Sequence, residues 1–124
     1  MKDTAAELVL LPGTYDPATH AVAGPLTVEM IRQVGATKVF LGADSLSLSN
    51  GLTTANLDIA VVERSMISHT RGKVIVIAHY SKFGRVAEIS IAPLKYINVL
   101  VTNRKIHDDF QREYELMGGQ LVIA

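Results

Sequence analysis

Four short stretches of this chain carry residue types that could do chemistry. Asp44 follows the apolar run Phe40-Leu41-Gly42-Ala43, where its carboxylate could accept hydrogen bonds from a polyol or could close an Asx-turn. Gly51-Leu52-Thr53-Thr54 stands ahead of a helical pattern. The glycine permits close backbone approach, and free N–H groups with two hydroxyls suit an anion such as phosphate, although Thr53 or Thr54 could equally serve as a plain N-cap. Ser81-Lys82-Phe83-Gly84-Arg85 sets two cations around a glycine, and a lysine there can reach an anionic ligand as a mobile point charge. His79, just before this stretch, is either a ligand contact or a capping or surface residue.

Other chemistries find little support. His20, His69, His79 and His107 show neither i, i+4 pairing nor a ligand-like cluster, so no metal site or cofactor is expected. Ser81 lacks an evident base, and no Gly-x-Ser-x-Gly elbow exists, which argues against nucleophilic catalysis.

The elements that must position these residues are read from five continuous apolar runs: Leu8–Leu11, Val39–Leu41, Val74–Ala78, Val99–Val101 and Leu121–Ala124. Continuous rather than alternating runs of Val, Ile and Leu predict parallel strands covered on both faces. Three helical patterns separate them. The first follows Gly24-Pro25, with Leu26, Met30, Ile31 and Val34 on one stripe and Gly35 as its stop. The second opens after Thr53-Thr54 and spaces Ile59, Val62 and Met66 helically, with Arg64, His69 and Arg71 near its end to complement the dipole. The third aligns Ile106, Phe110, Tyr114 and Met117, opens on Asp108-Asp109 and ends at Gly118-Gly119.

Strands alternating with helices predict an α/β fold, an open and mostly parallel sheet of about five strands with three helices. One crossover departs from this: 79–98 lacks a helical period, and instead predicts a short strand at Val86–Ile91 and a turn at Ala92-Pro93-Leu94. Ligands of such sheets bind beyond the carboxyl ends of the strands. The polar loops Pro12–His20, Gly42–Thr54, His79–Arg85 and Thr102–Lys105 all lie at those ends, which locates a site on one edge.

Composition bounds the function. The 124 residues fit one domain, and 48% hydrophobic against 19% charged residues is too apolar for a disordered chain. A formal net charge of zero offers no electrostatic footprint for nucleic acid. No cysteine is present, Met1-Lys2-Asp3-Thr4 lacks a signal-peptide core, and no apolar run reaches a membrane span. A soluble, cytoplasmic protein is expected.

The ordered segments Leu10-Leu11-Pro12-Gly13-x-Tyr15, Gly24-Pro25-Leu26, Lys38-Val39-Phe40-Leu41-Gly42-Ala43-Asp44, Gly51-Leu52-Thr53-Thr54, Arg64-Ser65-Met66-Ile67 and Ser81-Lys82-Phe83-Gly84 resemble the C-terminal domain of DeoR-type transcriptional repressors. The resemblance implies a sugar-phosphate sensor similar in fold to ribose-5-phosphate isomerase, glucosamine-6-phosphate deaminase and the CoA-transferases. Asp44 would fall on the Asp-rich loop of such a site, and Ser81-Lys82 on its Ser-Lys loop. It also implies that residues 1–124 are a partial effector-binding domain, without the winged helix-turn-helix and without the first strand, phosphate loop and helix of the sensor. His79 and Tyr80 stand where most members carry an acid and a small hydroxyl, and Ser45 where a glycine is common; these departures bear on ligand specificity. The expected ligand-binding set is Asp44, Gly51, Thr53, Thr54, His79, Ser81, Lys82 and Arg85. The expected partners are a phosphorylated sugar and further copies of the chain, recruited through an unpaired sheet edge or a bare apolar helix face. Two alternatives are a sugar-phosphate isomerase with Asp44, Asp58 or Glu63 as base, and an oligomerisation remnant without ligand binding.

Overall fold

A computed structural model describes residues 5–124; Met1-Lys2-Asp3-Thr4, inspected above for a signal peptide, lies outside them. The architecture is mixed α/β. A four-stranded parallel sheet is formed by β3 (Lys38–Gly42), β6 (Lys73–Ile77), β8 (Val99–Thr102) and β9 (Gln120–Ile123), in the order β3-β6-β8-β9. A three-stranded antiparallel sheet contains β4 (Ser45–Ser47), β5 (Gly51–Thr54) and β7 (Ile89–Ala92). A hairpin pairs β1 (Thr14–Asp16) with β2 (Ala21–Ala23). The helices are α1 (Pro25–Arg32), α2 (Leu57–Ser68) and α3 (Asp108–Leu116). Among the described residues no helix is long and apolar enough to cross a membrane.

Four of the five predicted strands form, within a residue or two of their predicted bounds. Leu8–Leu11 does not: it has no ladder, and Leu8, Val9 and Leu10 are 68–81% exposed beside β3. An apolar run becomes a strand only when a neighbour takes its N–H and C=O groups, and none among the described residues does. The parallel sheet therefore has four strands, not about five.

The loops predicted at Pro12–His20 and Gly42–Thr54 are largely hairpins. In particular, Gly51–Thr54 is not a helix entry but a fully buried strand, paired with β4 through Gly51, Leu52 and Thr53 and with β7 through Leu52, Thr53 and Thr54. A Cβ on Gly51, which has φ +69°, would collide with the Ala92 carbonyl, so the glycine serves strand packing rather than anion approach. The cap of α2 is Asn56, whose side chain accepts from the Ile59 N–H at 3.1 Å, and neither Thr53 nor Thr54.

The stripe predicted for α1 is also corrected. Leu26, Met30 and Val34 are exposed, while Thr27 and Ile31 are buried and the helix ends at Gln33 rather than at Gly35. Thr27 Oγ1 donates to the Pro12 carbonyl at 2.6 Å, so the buried face is set by this tie and by packing on α2 and β2. Phe110 and Tyr114 of the third helix are buried as their spacing predicts, and Ile106 is buried but lies two residues ahead of the helix; Met117, its C-cap, is 47% exposed. Tyr114 is fully buried, and its hydroxyl donates to the Ile97 carbonyl at 2.7 Å. Gly119 lies so close to that ring that a Cβ would overlap it.

The connection from β6 to β8 is non-helical, as its sequence predicts. Its strand, β7, joins the antiparallel sheet, and the predicted turn becomes a short 3-10 turn at Leu94–Tyr96. The core lies between the two sheets and against α2 and α3, centred on Leu46, Leu52, Val76, Ile97, Leu100 and Tyr114.

Candidate functional site

The carboxyl edge of the parallel sheet gathers most of the polar groups named from sequence. β3 and β6 run in parallel register to Gly42↔Ile77, so Asp44 and His79 leave adjacent strands two residues beyond their last pair. The loops are then tied together: Gly84 N–H donates to the Leu46 carbonyl at 2.7 Å, and Leu46 bridges Phe83. Tyr80 N–H donates to Asn103 Oδ1 at 2.9 Å, which brings in the end of β8.

Two contacts link the residues of the predicted set. Thr54 Oγ1 donates to Asp44 Oδ2 at 2.7 Å, and His79 Nδ1 lies 2.8 Å from Ser81 Oγ. His79 also accepts from the Ser81 N–H at 3.2 Å and so opens the 3-10 turn Tyr80–Lys82. Lys82 and Arg85 form no ion pair among the described residues. Gly51 and Thr53 are not part of this group. Thr53 Oγ1 is committed to the Ala87 N–H at 2.9 Å, and Gly51 packs under Ala92.

A carboxyl that the sequence offered only as the base of an alternative isomerase belongs here as well. Glu63 of α2 is half-buried, and its pKa is pushed up to about 7, first by burial and second by the charge of Asp44. Spacing could have revealed it: Ala60, Glu63 and Ile67 fall at helical intervals on the stripe that packs inward. A carboxyl half-protonated near neutrality can donate to or accept from a hydroxyl, or take a proton from carbon. Asp58, by contrast, is exposed in the first turn of α2.

Two more features had no clear signal in the sequence. Thr102, at the carboxyl end of β8, is 3% exposed, and its hydroxyl has no hydrogen-bond partner among the described residues. Beside the Ser81-Lys82 turn opens a cleft of about 510 Å³ whose lining includes Leu48, Tyr80, Phe83, Ile106 and Phe110 together with the polar Lys105, His107 and Asp109. Its volume suits a small ligand. None of the eight residues predicted from sequence lines its wall, although Tyr80 and Gly84 of the same loop do. The Arg104 guanidinium lies 4.7 Å from the centre of the Tyr80 ring and holds one side of it.

The histidines serve turns and helix ends. His69 and His107 close α2 and open α3, His79 opens the 3-10 turn, and His20 meets the Tyr15 hydroxyl at 3.0 Å. Among the described residues no group of three or more His, Cys, Asp or Glu could hold a metal ion.

Comparison with known proteins places this geometry in context. Residues 1–104 match the model of the DeoR C terminal sensor domain. The chain is 31% identical over 116 residues to the HTH-type transcriptional regulator GlpR of Haloferax volcanii, covering 94% of this chain and 45% of the relative. It is 33% identical over 113 residues to the transcriptional repressor AccR of Agrobacterium fabrum, covering 90% and 43%. A regulator of the sgc region in Escherichia coli, its assignment given as tentative, is 28% identical over 117 residues, covering 94% and 45%. The chain thus spans about half the length of the curated relatives it matches.

Proposed function

Because the chain belongs to the family of the DeoR C-terminal sensor domain, we propose that it is the effector-sensing portion of a sugar-metabolism repressor. In this reading a phosphorylated sugar or related metabolite binds at the carboxyl edge of the parallel sheet. The observation that carries it is that one sheet edge holds the neighbouring Asp44 and Glu63 carboxyls and the loop carrying Lys82 and Arg85, which form no ion pair among the described residues. Lys82 and Arg85 suit the phosphate, with Ser81 adding a donor. Asp44 and Glu63 suit the hydroxyls, and Thr54 orients Asp44 for that task. The fold would then be that of ribose-5-phosphate isomerase and its relations.

The ligand acts by binding one conformational or oligomeric state better than another. DNA recognition is assigned to the part of the longer regulators outside the matched span, in keeping with the zero net charge of this chain. Thermal shift with a panel of sugar phosphates tests the proposal. Stabilisation by at least one member, lost in Lys82→Ala, is expected; no response from any member sinks it.

One observation favours a second reading, a sugar-phosphate isomerase. Glu63, with its pKa raised to about 7 beside Asp44, has the proton affinity of a general base near neutrality. The relatives, however, are transcriptional regulators, which favours sensing. Turnover of ribose-5-phosphate or glucosamine-6-phosphate, abolished by Glu63→Gln and by Asp44→Asn, would establish the enzyme instead.

A further inference from the structure

The cleft of about 510 Å³ is built where three segments meet: the β4–β5 turn brings Leu48, the loop after β6 brings Tyr80 and Phe83, and the entry into α3 brings Ile106 and Phe110. Ile106 and Phe110 belong to the core, whereas Leu48 and Tyr80 are 39% and 37% exposed. Ser81 and Lys82 of the same turn do not line it. One short turn thus carries two sets of side chains, with Tyr80 and Phe83 given to the cleft.

These walls are fixed by contacts within the chain. The Tyr80 N–H is tied to Asn103 Oδ1, and the Tyr80 ring lies 4.5 Å from the His79 ring and 4.7 Å from the Arg104 guanidinium. Phe83 meets Phe110 edge to face, with centroids 5.1 Å apart and planes at 82°. The Gly84 N–H anchors the loop on the Leu46 carbonyl at 2.7 Å. Walls already ordered lose little conformational entropy when a ligand enters.

We propose that this cleft is a binding site for a small aromatic anion, separate from the phosphate site proposed on Lys82 and Arg85. Tyr80, Phe83 and Phe110 are aromatic, and a further ring extends the edge-to-face packing that Phe83 and Phe110 already make. A sugar would set hydroxyls against Leu48, Phe83, Ile106 and Phe110, where they lose water and gain no partner. An aromatic ring has no such groups to satisfy. Size agrees: an apolar cavity of about 150 Å³ takes benzene, so this larger cleft has room for a bicyclic ring and its substituent.

The polar part of the lining selects the charge. Lys105 Nζ lies 3.4 Å from Asp108 Oδ1, and both side chains are highly exposed, so the pair is weak and the ammonium is free to take another anion. His107 Nδ1 accepts from the Asp109 N–H at 3.2 Å, which leaves Nε2 of the neutral ring as a donor. Asp109, the acid in the lining, has its charge offset by Arg112 at 3.4 Å. Arg104, Lys105 and Arg112 against Asp108 and Asp109 leave the border of the cleft one positive charge in excess.

Amide-resolved NMR titration of the 124-residue chain with 2-naphthoate tests the inference. 2-Naphthoate should shift the amides of Ser49, Tyr80, Gly84 and Asp109 saturably. 2-Naphthalenemethanol, which has the ring without the charge, should shift the same amides with several-fold weaker affinity. Lys105→Ala should bring 2-naphthoate down to the affinity of the alcohol. Leu48→Glu should weaken it about tenfold or more by setting a charge in the apolar wall, whereas Leu116→Glu, 75% exposed on α3 and outside the lining, should leave it unchanged. Tyr80→Ala, on another wall, gives the same reading if Leu48→Glu does not fold. Glucose 6-phosphate should not displace the probe, so silence from the sugar phosphate counts against the edge site alone. The absence of saturable shifts overturns the proposal, as do shifts centred on Asp44 and Glu63 or on Phe40 and Ile77. Displacement by glucose 6-phosphate, or affinity untouched by both wall substitutions, overturns it as well.

Discussion

Replacing Glu63 by glutamine should stabilise the protein at alkaline pH and leave it nearly unchanged in acid. Burial, and then the charge of Asp44, raise the Glu63 pKa from 4.5 to about 7. The folded state therefore holds this proton more tightly than the unfolded state does. Stability is full below about pH 4.5, falls as pH rises toward 7, and stays lowered above it. At about 1.4 kcal/mol for each tenfold change in proton affinity, the full penalty is at most about 3 kcal/mol. Glu63 retains some contact with solvent, which screens the effect to on the order of 2 kcal/mol. Urea denaturation of wild type and Glu63→Gln between pH 4 and pH 8.5 reads the difference directly. The two curves should converge at the acid end and separate by about 2 kcal/mol above pH 7. Parallel curves across the range, or a variant less stable at pH 8, would refute the placement of this carboxyl.

Three further substitutions follow from the packing. Tyr114→Phe removes the donor to the buried Ile97 carbonyl and should cost about 1–2 kcal/mol in urea denaturation; an unchanged midpoint would contradict that contact. Asn56→Ala should cost about 1 kcal/mol through loss of the α2 cap, seen as a lowered melting temperature. Thr102→Val replaces a buried hydroxyl without a partner by a methyl of the same shape and should stabilise the free protein by about 1 kcal/mol in the same assay.

Much of this architecture was legible in the sequence, for identifiable reasons. The strands β3, β6, β8 and β9 are short runs of branched aliphatic residues, and their composition announces a parallel sheet whatever surrounds them. The spacing of Phe110 and Tyr114 likewise marks the buried face of α3. What failed was whatever depends on a partner elsewhere in the chain. Leu8–Leu11 reads as a strand but pairs with no strand among the described residues. Thr53-Thr54 reads as a cap, yet its hydroxyls are taken by Ala87 and Asp44, and its backbone by β4 and β7. Leu26 and Met30 read as a buried stripe, whereas α1 is anchored through Thr27.

The candidate site divides in the same way. The side on which the polar loops emerge was legible, and the loops carrying Asp44, His79, Ser81 and Lys82 do leave the sheet there. Glu63 and Thr102 gain their character only from burial, which local sequence encodes weakly. The cleft between Tyr80 and Phe110 arises where loops from two strands meet, and no spacing within one segment describes it.

The central claim, that the carboxyl edge reads a phosphorylated sugar, is tested most directly by calorimetric titration. The chain should be titrated with a panel of sugar phosphates, with the same sugars lacking phosphate, and with inorganic phosphate. At least one sugar phosphate should bind with measurable heat, more tightly than either its parent sugar or phosphate alone, and Lys82→Ala should abolish the difference. Heat from none of the panel, or binding that Lys82→Ala leaves untouched, would contradict the account.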